Sequence, residues 1–236
     1  MSSVVVVLPS RGRPRHAARA VRSLRALAEL TSTSIVLAVD ADDPALASYR
    51  LLRFDRFPRG GPEVALVVLD PDETGDLTRA TNTVSLRVAS GDPDAIIGNV
   101  GDDHIARTSG WDRMVLEAPR SAGVTYGDDL YAGERLPTAP FIPASVVLAL
   151  GYYALPSCRH MFIDDAWGDL GRGLGRLTFL PDLVIEHLHP LAGKASRDPG
   201  YDRADASASE DLVAYLAWRD DGGLAADLQR VRETLG

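Results

Sequence analysis

Apolar residues fall along the chain in two alternating rhythms. Residues 4–8 form an unbroken β-branched run, the pattern of a strand buried on both faces. The run stops at Pro9. Ser10-Arg11-Gly12-Arg13 reads as a loop, and Pro14 suits a first helical position. From there to Leu30, Ala17, Val21, Leu24 and Ala28 recur at helical spacing. A second buried run, residues 34–39, ends in Asp40-Ala41-Asp42-Asp43-Pro44. Residues 45–53 read as helical, Gly60-Gly61-Pro62 as a turn and residues 63–69 as a third strand. A helix over 77–90 leads to a fourth strand over 94–100, which ends at Gly101-Asp102-Asp103-His104. A short helix over 111–118 and a strand over 122–126 follow.

Strand alternating with helix predicts an α/β fold, a mostly parallel sheet joined by right-handed crossovers. Polar clusters stand where the strands end: Ser10 and Arg11, Asp40 and Asp42, Asp102 and Asp103. Ligands of open α/β sheets bind at that edge. The second half is less regular, broken by Pro137, Pro140, Pro143 and Pro156. It predicts a helix after Asp164-Asp165 as far as 174, one or two strands in 177–189, and a polar loop over 193–205. Helices over 210–218 and 224–235 complete it. No repeat or linker divides the chain, so residues 1–236 are expected to form one domain.

Composition narrows the function. The 236 residues suffice for one sizeable core. Asp and Glu number 33 against 25 Lys and Arg, a net charge of −8, which argues against a dedicated nucleic-acid binder. Cys158 stands alone, so neither a disulfide framework nor a cysteine-rich zinc site is available. No apolar run approaches a membrane span, and the first residues lack the basic start of a signal peptide. The expected compartment is the cytoplasm. Only one of the basic residues, Lys194, is lysine, and Asn occurs twice. That bias fits a GC-rich coding sequence, so arginine abundance alone carries no functional meaning.

Several groups could carry chemistry. Asp102 and Asp103, adjacent at a strand end, are costly unless a cation or a solvated turn receives them. A divalent ion that prefers oxygen would suit them. In Glu186-His187-Leu188-His189 the two histidines share one strand face, and with the Asp pair they would make a mixed site suited to Mn²⁺. Asp164 and Asp165 stand at a helix start, where one carboxylate would cap and the other could act as a general base. Thr78-Arg79-Ala80-Thr81-Asn82 could hold a sugar or simply solvate a helix. Lys194 beside Gly193 could neutralise a diphosphate as a point charge. Arg15, Arg19 and Arg22 read as a solvated face, and Trp111, Trp167 and Trp218 as core or cleft wall.

Taken in order, these pieces resemble the glycosyltransferase family 2-like group of GT-A-fold enzymes, and especially small glycosyltransferases attributed to bacteriophages of GC-rich hosts. The resemblance spans most of residues 4–201. It implies a GT-A, Rossmann-like sheet with an irregular acceptor side. Residues 1–125 would bind a nucleotide sugar, 126–204 would hold acceptor and catalytic groups, and 205–236 would form a helical tail. It implies donor contacts from Pro9, Ser10, Arg11, Arg13, Asp40, Asp42, Arg79, Asn82, Asp102 and Lys194. The metal, Mn²⁺ or Mg²⁺, would rest on Asp103 with His187 or His189. Here Gly101 stands where the family's Asp-x-Asp motif has its first acid. The base would come from the Asp164-Asp165 pair, Asp165 being favoured, in an inverting transfer of a hexosyl or pentosyl group.

The donor would be UDP- or GDP-linked. The acceptor would be a hydroxyl of a protein, glycan or small molecule, with a modified phage DNA base less favoured. Tyr126, Asp128, Asp129, Tyr131, Phe141, Tyr152, Tyr153 and His160 would line the acceptor side. Three rivals remain at this level. A nucleotidyltransferase fits poorly, because Pro-Ser-Arg-Gly-Arg-Pro is not its glycine-rich loop. A metal-dependent phosphoesterase could use the Asp pair and His-x-His, though such sites usually need more ligands. A non-catalytic nucleotide- or sugar-binding module could keep the same fold.

Overall fold

A computed structural model describes residues 3–52, 54, 61–70, 72–73, 76–118 and 123–235. Gly60 of the expected turn, Ala122 of the expected fifth strand and Arg53 of the expected second helix lie outside these residues. An eight-stranded mixed sheet runs through the molecule. Its strands are β1 (Val4–Pro9), β2 (Thr33–Asp40), β3 (Glu63–Leu69), β4 (Ile96–Asn99), β5 (His104–Ala106), β6 (Val124–Asp128), β7 (Phe141–Pro143) and β8 (Leu177–His187). They lie in the order β3-β2-β1-β4-β7-β6-β8-β5. β1 to β4 are parallel, β7 runs antiparallel to both β4 and β6, β8 is parallel to β6, and β5 is antiparallel to β8.

The unbroken apolar run of β1 has a direct cause. Val4, Val6 and Leu8 face one core with α1 (Pro14–Leu27) and α4 (Trp111–Glu117). Val5 and Val7 face a second core with α3 (Leu77–Gly91), α5 (Ala144–Leu150) and α6 (Ile163–Leu174). Each such side chain, fully buried, contributes about 1.5–3 kcal/mol. Both faces of the strand are covered, so no polar position alternates. Trp111 and Trp167 sit in these cores and donate to the Leu24 and Tyr153 carbonyls at 2.8 and 2.9 Å. Arg15, Arg19 and Arg22 are exposed on α1, as the helical spacing predicts.

α2 (Leu46–Arg50), α7 (Pro199–Asp220) and α8 (Gly223–Leu235) complete the α-helices of the described residues. α7 departs from expectation, because it starts inside the stretch expected to be a loop. Asp198 accepts from the Gly200 N–H at 2.8 Å as N-cap, and Pro199 takes the first turn. Three short elements, β5, β7 and α5, were not expected. β5 and β7 have three residues each, too short for a period to register. Among the described residues no helix is long and apolar enough to cross a membrane.

Candidate functional site

The C-terminal edge of the parallel strands is built as one polar surface. Past β1, the chain turns through Ser10–Arg13 under the direction of two buried groups. Asp43 accepts from the Gly12 N–H at 2.7 Å, and the Tyr49 hydroxyl accepts from the Arg13 N–H at 2.8 Å and meets Ser10 Oγ at 2.7 Å. Arg11 is thereby set against the end of β2, 2.6 Å from Asp40 and 2.5 Å from Asp42. These carboxylates raise the guanidinium pKa further above its already high value, although partial burial opposes them.

Beyond β4, Asp102 and Asp103 are both buried but differ in state. Asp102 accepts from Ser10 Oγ at 2.6 Å and from Arg13 Nη1 at 2.9 Å. Burial pushes its carboxyl up to about 7 against the pull of Arg13. Asp103 is buried as deeply, yet His104 and His187 hold its carboxyl well below the usual range. Its Oδ1 lies 3.1 Å from His104 Nδ1. Its Oδ2 accepts from the Tyr201 hydroxyl at 2.7 Å and lies 3.6 Å from His187 Nε2.

β5 and β8 bring the histidines together. Their antiparallel register sets His104 opposite His187, and the rings stack with centroids 4.2 Å apart. His187 Nδ1 is 3.8 Å from Asp129 Oδ2, too long for a hydrogen bond. Burial lowers the basicity of His187, but the flanking carboxylates of Asp103 and Asp129 outweigh it and raise its pKa to about 9. Burial and the neighbouring His187 keep His104 neutral, with its pKa lowered. His104 Nε2 and His187 Nδ1 are buried without a hydrogen-bond partner. Asp103, His104 and His187 each offer a ligand atom, all within 4.8 Å of one another. One carboxylate and two imidazoles make a mixed donor set that fits a divalent transition ion such as Mn²⁺.

α6 divides the Asp164-Asp165 pair. The charges that bear on Asp164 include His187, Asp129 and Asp103, which is the cluster just described. Desolvation pushes its carboxyl up to about 7. Those that bear on Asp165 are Asp169 and Arg172 of its own helix, and burial raises its pKa. The entry to α6 is held from α7. Buried Asp211 accepts from the backbone N–H groups of Arg159, His160 and Met161 at 2.8–3.0 Å. A cavity of about 560 Å³ opens between these parts. β1 and β2 give it Ser10, Arg11 and Asp40, β4 leads to Asp102 and Asp103, and α7 gives Tyr201 and Arg203.

Solved structures with the same chain path decide the architecture. The mannosyltransferase PcManGT from Pyrobaculum calidifontis, in complex with GDP-Man and Mn²⁺, superposes with a TM-score of 0.58 at 13% identity, covering 98% of this chain and 73% of that one. Glucosyl-3-phosphoglycerate synthase from Mycobacterium tuberculosis, in complex with Mn²⁺, UDP and phosphoglyceric acid, gives 0.56 at 12% identity over 92% and 78%. S. aureus TarS 1-349 in complex with UDP-GlcNAc gives 0.55 at 14% identity over 97% and 72%, and a longer TarS chain is covered over 44% of its length. The fold is GT-A. No protein-family model matches the sequence, and a search of curated proteins finds no match.

Within the GT-A frame the expected site residues separate into two sets. Pro9, Ser10, Arg11, Arg13, Asp40, Asp42, Asp102 and Asp103 all line the cavity. Asn82 does not join them. It accepts from the Tyr153 and Ala154 N–H groups at 2.8 and 2.7 Å and donates to the Ala154 carbonyl at 2.8 Å, which pins a turn before α6. Arg79 is exposed in the first turn of α3, whose contribution to the cavity is Asp76, Leu77 and Ala80. Lys194 lies 2.9 Å from Glu186 and donates to the Leu130 carbonyl at 3.1 Å, behind the cluster.

The two late histidines also separate. β8 ends at His187, so His189 leaves the strand face, accepts from the Leu191 N–H at 3.2 Å and stacks on Tyr131. His104 takes the place in the cluster that spacing suggested for His189. Its only signal in the sequence is adjacency to Asp103, because β5 is too short to announce itself. Of the expected acceptor side, Tyr126, Phe141 and Tyr153 are core, and Tyr152 binds Asp227 of α8. His160 lines the cavity, while Asp128, Asp129 and Tyr131 form the turn beside His187.

Proposed function

We propose that this chain transfers a hexosyl or pentosyl group from a nucleoside diphosphate sugar to a hydroxyl acceptor, with a divalent cation on Asp103, His104 and His187. One observation carries this reading. The Asp103 carboxylate lines a cavity on the C-terminal edge of a GT-A sheet and offers a ligand atom within 4.8 Å of ligand atoms on the His104 and His187 imidazoles. Support comes from PcManGT, whose structure holds GDP-Man and Mn²⁺, and from glucosyl-3-phosphoglycerate synthase, whose structure holds UDP and Mn²⁺. When bound, the cation screens the diphosphate and stabilises the charge that develops on it as it leaves.

The chain's own residues do the rest. Asp40 and Asp42, braced by Arg11, and the Ser10–Arg13 turn receive the nucleoside. Arg13 and Asp102, paired at 2.9 Å in the cavity, would meet the ribose and the first phosphate. The base is Asp164 in place of Asp165, because Asp164 is electrostatically coupled to His187 and Asp103 while Asp165 is coupled to its own helix. Asp164 takes the acceptor proton. The acceptor oxygen bonds to the sugar C1 as the C1–O bond to phosphate breaks, and the nucleoside diphosphate leaves with the electron pair. Attack from the face opposite the leaving group inverts the anomeric centre. Lys194, held on Glu186, has no part in donor binding.

A thermal-shift series with UDP, GDP, dTDP, CDP and ADP tests the reading, with and without Mn²⁺, on wild type and Asp103→Ala. A ligand of the native state raises Tm by mass action. UDP or GDP should raise it in Mn²⁺ only, and Asp103→Ala should lose the effect. A wild type indifferent to every nucleotide in Mn²⁺ would overturn the assignment.

A further inference from the structure

The turn after β6 is built to hold an aromatic ring outside the core. Asp129 Oδ1 accepts from the N–H groups of Tyr131, Ala132 and Gly133 at 2.7–2.9 Å, and its Oδ2 accepts from Thr138 Oγ1 at 2.9 Å. The Asp129 carbonyl in turn accepts from the His187 N–H at 2.9 Å. Leu130 is held at φ +56°, a left-handed conformation that a leucine rarely adopts. Its N–H donates to Asp128 at 2.8 Å, and its carbonyl accepts from Lys194 Nζ, the chain's only lysine. The turn is thus over-determined by hydrogen bonds, and backbone strain held this way clusters at ligand clamps.

What the turn presents is Tyr131, 40% exposed. The ring lies nearly parallel to that of His189, with centroids 5.1 Å apart and planes 13° apart. It also stands edge-on to His187 at 6.3 Å. The proposed base, Asp164, is coupled to that same His187. A rigid, half-exposed aromatic ring therefore stands beside His187, one of the residues proposed to hold the cation.

We infer that Tyr131, backed by His189, is the platform for the acceptor, and that the acceptor is an uncharged sugar. This rests on the transferase reading above. A pyranose presents a face of C–H groups that packs flat on an aromatic ring, while its hydroxyls remain free for polar partners. An anionic acceptor is disfavoured here, because the Asp129 carboxylate, fixed by its own turn 3.8 Å from His187, stays beside the ring when a cation neutralises Asp103. Asp129 is saturated by its own turn, which leaves Asp164 to accept the sugar hydroxyl. In this arrangement Lys194 and Asp129 are positioning residues, and Tyr131 sets acceptor specificity.

The test uses the full chain with Mn²⁺ and the nucleoside diphosphate that raises Tm. Binding of methyl glucosides, galactosides and mannosides is read by saturation-transfer NMR on wild type, Tyr131→Ala and Tyr131→Phe. Circular dichroism confirms that each variant is folded. At least one glycoside should bind wild type and Tyr131→Phe alike, and Tyr131→Ala should weaken it at least tenfold while nucleotide affinity stays within twofold. Glycoside binding that survives Tyr131→Ala, or no glycoside binding at all to wild type, would overturn the inference. Nucleotide binding is read separately. Its loss in wild type with glycoside binding intact would sink the transferase reading and leave the platform standing.

Discussion

Asp164, the proposed base, carries a cost in stability. Its carboxyl ionises at about 7 in the folded chain against 3.8 as the ordinary value. Between those values the unfolded chain has lost a proton that the folded chain keeps. The stability this group contributes is therefore full below about pH 4 and is lost as the pH rises to 7. Asp164→Asn removes that cost. In EDTA its Tm should exceed wild type at pH 8 by about 2–4 °C, the shift that about 1 kcal/mol gives in a domain of this size. The two should converge at pH 4, and equal melting at pH 8 would show that the carboxylate is not desolvated. The same substitution should lower kcat by about 10²–10⁴-fold with donor affinity kept. Gly101 makes the opposite kind of demand, for space. A Cβ there would fall 2.8 Å from Asp103 Oδ1 and 2.9 Å from His104 Nδ1. Any side chain there would part Asp103 from His104, two of the groups proposed to hold the cation. Gly101→Ala should raise the Mn²⁺ Kd by about 10–100-fold in calorimetric titration, and an unchanged Kd would remove His104 from the ligand set.

At the scale of elements the parallel half was legible and the closing half was not. β1, β2 and β3 announce themselves because each is a long apolar run, and the loops at their ends hold Ser10, Arg11, Asp40 and Asp42 where the sequence placed them. β5 is three residues long, so the pairing that brings His104 onto His187 leaves no periodic trace. The first half of α7 is polar on most faces, and its start is marked only by Asp198-Pro199. Yet α7 closes the site. Arg13 lies 3.1 Å from Asp198 and over the Tyr201 ring at 5.2 Å, and the Tyr201 hydroxyl occupies Asp103 Oδ2. That hydrogen bond competes with a cation for the same oxygen. Tyr201→Phe should therefore tighten Mn²⁺ by about tenfold or more, since a hydrogen bond to a charged group is worth about 1.5–3 kcal/mol. Mn²⁺ titration followed by electron paramagnetic resonance reads it, and an unchanged Kd would place the hydroxyl elsewhere in the loaded site. Asp211→Ala strips three backbone N–H groups of their acceptor at the entry to α6. It should destabilise the chain by about 3 kcal/mol, since each buried, unpaired donor costs about 1–3 kcal/mol, as read in urea unfolding.

Across the whole molecule the charge is wrong for an anionic substrate, and this determines how the site must work. The chain carries −8, and Asp40, Asp42, Asp76, Asp102, Asp103 and Glu210 all line the cavity. Four arginines offset them there, but Arg11 is already committed to Asp40 and Asp42, and Arg13 to Asp102 and Asp198. A nucleoside diphosphate entering alone meets six carboxylates and four guanidiniums, two of the latter already committed. A cation on Asp103 reverses the local sign, so cation and nucleotide should bind with strong positive coupling. Couplings of this kind are about 1–3 kcal/mol, or about 5–150-fold, and are reciprocal by thermodynamic necessity. The factor by which Mn²⁺ tightens UDP or GDP must equal the factor by which that nucleotide tightens Mn²⁺. Two calorimetric titrations measure the two factors independently. Both should reach at least tenfold at low ionic strength and shrink in high salt, because part of the repulsion comes from exposed, screened charge. A nucleotide that binds equally well in EDTA would mean that arginines alone carry the diphosphate, and Asp103, His104 and His187 would then be a structural ion site apart from the donor.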